Sequence, residues 1–145
     1  MREALLEAQK SFQQNEVPVG AVVVYKGEII SRAHNCVESL RDATAHAEVL
    51  ALRAASAHLN NWRLSETTLY CTLEPCSLCA GALLLSRVST LVWGAADKRH
   101  GAHGSWVNLL DCTHPTHQII VRQGVLSEEC ACLMTDFFRK RRIRA

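Results

Sequence analysis

The sequence has no apolar run long enough to cross a bilayer. Its longest strongly apolar stretch, Ala80 to Leu85, covers six residues, whereas a spanning helix needs about 20. No secretory leader is expected either. Met1, Arg2 and Glu3 lead into mixed apolar and charged residues, without the basic n-region and unbroken apolar h-region of a signal peptide. These absences lead us to expect a cytoplasmic protein with no membrane partner. Repeats, low-complexity tracts and linker-like stretches are missing too, so the 145 residues read as a single domain. Hydrophobic residues at 48% and charged residues at 21% are ordinary globular proportions that argue against disorder.

A strong net charge is likewise absent, the formal value being +2. Its distribution is uneven. Arg139, Lys140, Arg141, Arg142 and Arg144 crowd residues 137–145 without an acid, leaving eleven basic against fourteen acidic residues elsewhere. A basic end on a mildly acidic body suits a local contact with a polyanion. It equally suits a helix C-terminus, where cations complement the macrodipole. The seven cysteines, an odd number where no leader is expected, argue against a disulfide framework; a close pair then points to metal binding or redox chemistry.

Hydrophobic periodicity predicts an opening helix over residues 2–14, with Leu5, Ala8 and Phe12 at helical spacing. Ala21–Tyr25 and Glu28–Arg32 read as a hairpin closed by Lys26-Gly27. A polar loop leads to an Ala- and Leu-rich helix over 46–58. Then come a strand (Thr67–Leu73), a helix (Cys76–Ser86) and a strand (Thr90–Trp93). Residues 94–105, with Gly94, Gly101 and Gly104, read as a functional or mobile loop. A short strand at Gln118–Arg122 precedes a last helix, for which Ser127 is the expected N-cap. This alternation predicts an α/β layered domain with a mixed five-stranded sheet; periodicity does not give the strand order.

Two motifs carry chemistry. His46-Ala47-Glu48 opens one predicted helix, and Pro75-Cys76-Ser77-Leu78-Cys79 lies where a strand hands over to the next. Together they supply one imidazole, two thiolates and a nearby carboxylate. Zinc accepts such a set, and three protein ligands leave the fourth tetrahedral position for water. The i, i+3 spacing puts both sulfurs on the first helical turn, where free N–H groups and the dipole favour thiolate. Pro75 suits a helix entrance, where a missing N–H costs little. Glu48 is expected outside the ligand set, because a bound carboxylate would close the site whereas a free one can move protons. Residues i and i+2 do not share a helix face, so His46 and Glu48 reach one metal only at the entrance. Each motif alone is weak: His-x-Glu recurs by chance on helix surfaces, and Cys-x-x-Cys can be a thioredoxin-like redox pair. Their combination points to a catalytic zinc site holding one ion per chain.

His-x-Glu followed by Pro-Cys-x-x-Cys is also the signature of the cytidine/deoxycytidylate deaminase superfamily, which the chain resembles. Glu16-Val17-Pro18-Val19-Gly20-Ala21-Val22, Asp42-Ala43-Thr44-Ala45-His46-Ala47-Glu48 and Thr72-Leu73-Glu74-Pro75-Cys76 recur, with variations, in purine-base and nucleoside deaminases. Gly101-Ala102-His103-Gly104-Ser105 and Asp136-Phe137-Phe138-Arg139 resemble the bacterial tRNA-specific adenosine deaminases. The resemblance implies a cytidine deaminase-like α/β/α domain, Zn2+ on His46, Cys76 and Cys79, and Glu48 as catalytic proton carrier. It further implies hydrolysis of adenosine to inosine at the wobble position of a tRNA anticodon loop, by a homodimer.

Substrate contacts follow from the same resemblance. Asn35 matches a position that hydrogen-bonds the target base, and Asp97 one near the ribose, with Lys98 and Arg99 beside it for phosphates. Phe138 is expected to stack on or flank a loop nucleotide, and the basic residues after it to track the backbone. Phe137 and Phe138 are adjacent, so one is expected to pack inward while the other faces out. Without the resemblance Asn35 reads as a turn residue and Asp97-Lys98-Arg99 as a solvated charge run. Ala43 stands where the family often has Pro, and Ala96 where Arg often precedes Asp97; both departures bear on the RNA rather than on zinc.

The remaining residues take ordinary readings. His100, His103, His114 and His117 are expected at the surface. Cys36, Cys71, Cys112, Cys130 and Cys132 are expected as buried or semi-buried thiols, and Trp62, Trp93 and Trp106 as core or interface fillers. Three rival functions stay open. A free-base or nucleoside deaminase, acting for example on guanine or cytosine, would share the chemistry but has no use for Phe138 and the basic end. A non-catalytic zinc-stabilised nucleic-acid-binding module would need a fourth ligand at zinc-finger spacing, which is missing. A thiol–disulfide oxidoreductase using Cys76 and Cys79 would be active without metal.

Overall fold

The computed structural model describes residues 1–145. Helix α1 (Arg2–Gln13) leads into strands β1 (Gly20–Tyr25) and β2 (Glu28–His34). A short helix α2 (Val37–Leu40) and helix α3 (Ala47–Leu59) follow. The remainder comprises β3 (Thr67–Leu73), α4 (Ser77–Leu85), β4 (Thr90–Ala95), β5 (Ile120–Gln123) and α5 (Ser127–Arg144). The five strands form one sheet in the order β2-β1-β3-β4-β5. β1 runs antiparallel to both β2 and β3, whereas β3, β4 and β5 are mutually parallel neighbours. The mixed sheet predicted from the sequence is therefore present.

Local chemistry explains the elements. In the β1–β2 turn Lys26 and Gly27 have φ of 50° and 80°, the left-handed pair that a two-residue turn matched to strand twist demands. β4 is buried from Leu91 through Ala95, as expected of a parallel strand covered on both faces. Helices α3 and α4 touch one another on one side of the sheet, and α1 and α5 on the other. The larger core joins Ala51, Ala55 and Leu83 of α3 and α4 to Val23, Leu69 and Leu91 of the sheet. Leu64, Leu69, Leu83 and Leu91 are fully buried, and truncating such a leucine to alanine costs about 2–5 kcal/mol. On the opposite side Phe137, 5% exposed, meets Phe12 edge-to-face at 5.6 Å and docks α5 on α1.

The topology gathers the chemistry at one end of the sheet. The carboxyl ends of parallel β3 and β4 lie there, the usual position of an α/β active site. Antiparallel β1 brings its start, and β2 its finish, to the same end. Residues 17, 35, 74–79 and 95–97 thus converge although far apart in sequence.

Several expectations change. Ser127 is the first helical residue rather than the N-cap; Leu126 occupies the cap with φ 53° and no side-chain hydrogen bond. α2, only four residues long, was not foreseen because it is too short to show a period. Cys112 and Cys132 are exposed rather than buried thiols. Of the tryptophans only Trp93 is buried, Trp62 and Trp106 being 53% and 61% exposed. His103 is no surface histidine: its side chain is 8% exposed. Its Nδ1 accepts from Trp93 Nε1 at 3.1 Å, and its Nε2 lies 3.0 Å from Asp111.

Candidate active site

Two helices begin at the same place. His46 is the N-cap residue of α3 and Cys76 that of α4, both with extended backbone. Cys79 and Glu48 then fall in the first turns of α4 and α3. His46 Nδ1 lies 3.5 Å from Cys76 Sγ and 3.4 Å from Cys79 Sγ, and the three donor atoms all fall within 4.8 Å of one another. A tetrahedral zinc with Zn–S of about 2.3 Å and Zn–N of about 2.1 Å sets an S···N edge of about 3.6 Å. The nitrogen–sulfur donor set and its spacing therefore fit that ion. Cys79 is buried while His46 and Cys76 are half-buried, so the triad has one face open to the cavity.

Glu48 stands beside this triad, 4% exposed, with Oε2 accepting from Cys79 Sγ at 2.8 Å. Burial pushes its carboxyl above the ordinary range, against the opposing hydrogen bond from Cys79. The two thiols ionise unequally. The hydrogen bond from Cys79 draws Cys76 down to about 4, and that same partnership with Cys76 drives Cys79 up. His46 is raised, chiefly by its hydrogen bond with Cys76. The arrangement can hold a divalent ion, and it keeps a buried carboxyl next to it.

His46, Cys76 and Glu48 line a cavity of about 1300 Å³ together with Asn35, Asp97 and Phe138. Cys79 is buried behind that wall, in contact with His46 and Glu48, so the residues singled out by sequence meet in and around one cavity. Asn35 is 7% exposed; its Nδ2 donates to the Val17 carbonyl at 3.3 Å, but its buried Oδ1 has no partner. An unpaired buried acceptor costs about 1–3 kcal/mol, which makes it a natural seat for a ligand N–H. Asp97 is more engaged, since Oδ1 accepts the backbone N–H groups of Arg99 and His100 at 3.1 and 3.2 Å. Of the adjacent phenylalanines, Phe137 packs inward and Phe138, 41% exposed, faces the cavity. Lys98, Arg99, Arg141 and Arg142 line it as well, so the basic C-terminal end is part of the site's rim.

Sequence reasoning missed two buried acids that build this rim. Glu74, 1% exposed, follows β3. Its carboxylate accepts the N–H groups of Asp97, His103 and Ser105 at 3.2, 2.9 and 3.3 Å, and the Ser105 hydroxyl at 2.5 Å. Gly101 is required by this packing, because a Cβ there would lie 2.2 Å from Glu74 Oε2. Glu16, 1% exposed, accepts the N–H groups of Ser39 and Glu38 at 2.7 and 3.1 Å and so fixes α2. An acid placed one or two residues before a proline at a strand end, as in Glu74-Pro75 and Glu16-Val17-Pro18, was the available signal.

Comparison with known proteins agrees with this geometry. The family model of MafB19-like deaminases matches residues 1–142. The tRNA-specific adenosine deaminase of Bacillus subtilis is 49% identical over 98% of this chain and 88% of its own length. The chain belongs to the tRNA-specific adenosine deaminase family. The chloroplastic tRNA(adenine(34)) deaminase of Arabidopsis thaliana is 51% identical over 97% of this chain, which spans only 12% of that longer protein. A solved structure from work on A-to-I editing by tRNA:A34 deaminases at the wobble position superposes with a TM-score of 0.88 at 39% identity, covering 92% of this chain and 96% of that one. The α/β deaminase fold of this family is thus the fold described above.

Proposed function

We propose that this chain hydrolyses adenosine to inosine at the wobble position of a tRNA anticodon, with zinc on His46, Cys76 and Cys79 and with Glu48 as the catalytic acid–base. The observation that carries the reading is the meeting of His46, Cys76 and buried Glu48 in a cavity rimmed by Phe138, Arg141 and Arg142, with buried Cys79 completing the ligand set behind them. A small free base uses only the floor of such a cavity. A single-stranded loop also uses its basic and aromatic rim. We take the protein to act in the cytoplasm as a homodimer, as the resemblance implies; no helix is long and apolar enough to cross a membrane.

Zinc held by His46, Cys76 and Cys79 would supply a nucleophilic water by lowering its pKa to about 7. Glu48 is placed to take a proton from the attacking water and deliver it to N1 of the purine, which opens C6 to attack. Glu48 then carries the second proton to the amino nitrogen on C6, and ammonia departs. One carboxylate serves as base and then acid, a role suited to a group lifted above the ordinary carboxylate range. Asn35 Oδ1 accepts from the target nucleoside, and Asp97 sits near its ribose. An anticodon-loop base is already unpaired, so no duplex-opening wedge is required.

The test uses zinc-loaded protein and an anticodon stem-loop carrying adenosine at the wobble position, with inosine read as an A-to-G change after reverse transcription. Conversion by the parent and its loss in Glu48→Ala is the expected result. Ammonia release from free adenosine, guanine or cytidine, with the stem-loop untouched, overturns the RNA assignment while leaving the floor chemistry intact.

A further inference from the structure

We infer that Trp106 is a stacking platform for an unpaired nucleotide next to the target adenosine, and so a specificity-determining residue of the RNA reaction. The inference rests on the function proposed above and adds a site residue to it. Trp106 is 61% exposed yet lines the same cavity as His46 and Glu48. An exposed indole at a cavity mouth loses hydrophobic free energy to water unless a partner covers it.

Its surroundings name the partner. No aromatic ring or cation of the chain stacks on Trp106. The other exposed tryptophan, Trp62, differs: Arg63 lies over its ring at 4.3 Å and Arg87 at 6.0 Å, and it does not line the cavity. Lys98, Arg99, Arg141 and Arg142 share the cavity with Trp106, which suits a polyanion rather than an apolar protein surface. Bases offer flat faces to aromatics while cations hold the connecting phosphates.

The loop that carries the indole is held in place in advance. The Trp106 backbone N–H donates to the Gly101 carbonyl at 2.9 Å, and its neighbour Ser105 is tied to buried Glu74 through both N–H and hydroxyl. A nucleotide meeting a prearranged loop costs the protein little backbone freedom on binding. Phe138, 41% exposed on the same cavity, offers a second ring surface there.

The experiment measures stem-loop kinetics for the parent, Trp106→Ala and Trp106→Phe, each with intact RNA and with RNA made abasic at one nucleotide flanking the target. Trp106→Ala is expected to raise KM by about tenfold or more with kcat at saturating RNA unchanged, and Trp106→Phe to keep most of the parent's KM. At one flanking position the abasic RNA should weaken the parent by a similar factor yet leave Trp106→Ala no worse, because ring and base act as one pair. Unchanged KM in Trp106→Ala overturns the inference. So do equal abasic penalties in both proteins, or a KM loss that follows a change of oligomeric mass in sedimentation, which would make Trp106 a protein–protein contact. A parent that converts no stem-loop overturns the functional reading itself.

Discussion

The floor and the rim of the cavity are built by different means. The floor consists of His46, Glu48, Cys76 and Cys79, all within the first turns of two helices that start side by side. Its positions are fixed by backbone caps and by spacings of two and three residues. The rim draws on the loop after β4, on α5 and on the β2–α2 connection. It is held by single buried groups, of which Glu74 is the clearest, with four hydrogen bonds into residues 97–105. Short-range construction gives a closely specified floor. Long-range construction gives a surface that can be retuned without disturbing the floor, and Ala96 lies on it.

If this contrast holds, variants of the two regions should fail differently. Removing a ligand is the largest intervention. His46→Ala should abolish activity and reduce zinc, measured by atomic emission, from one per chain to a small fraction, while Arg141→Gln should leave zinc unchanged. Glu48→Gln comes next: zinc and fold are retained, and single-turnover conversion falls by about 10²–10⁴-fold. A Glu48 variant that lost its zinc would blur the floor into a single unit and make Glu48 a ligand.

Glu74→Gln is expected to act on the rim alone. Its amide can keep one accepting oxygen but not both, so residues 97–105 should exchange backbone hydrogens faster. Stability should fall by about 1–3 kcal/mol, read by denaturant unfolding, with zinc content unaltered. The smallest effect is that of Arg141→Gln with Arg142→Gln. Each cation withdrawn from a single-stranded backbone should lower the slope of log KM against log salt by about 0.7, so the pair sharpens the contrast only when measured across ionic strength.

The same division explains how much could be read from the chain. The floor was legible because its residues are close in sequence within each motif and their chemistry is restrictive: few folds need His-x-Glu and Pro-Cys-x-x-Cys together. Strand β3 was predicted with the bounds it has, and β1, β2, α3 and α4 to within two residues, because each is an apolar or β-prone run bounded by polar, Gly or Pro residues. The rim was not legible at the same depth. Nothing local tells that Glu74 faces Ser105, that Trp106 is left uncovered, or that Phe137 rather than Phe138 turns inward against Phe12. Those facts depend on β3, β4, α1 and α5 coming together. Ser127 misled because a serine before two acids resembles a cap, whereas the chain turns into α5 through the left-handed Leu126. His103 misled because its polar neighbours hid the Trp93 partner that buries it.

The most direct test separates rate from affinity on one substrate. Wobble-adenosine stem-loop binding and single-turnover conversion at saturation are measured for the parent, Glu48→Gln and the Arg141→Gln/Arg142→Gln pair. Glu48→Gln is expected to bind RNA like the parent but convert it far more slowly, and the arginine pair to bind weakly yet convert bound RNA at the parental rate. If the arginine pair slowed conversion at saturation, or Glu48→Gln lost its affinity for RNA, floor and rim would be one inseparable unit and the division between them would not exist.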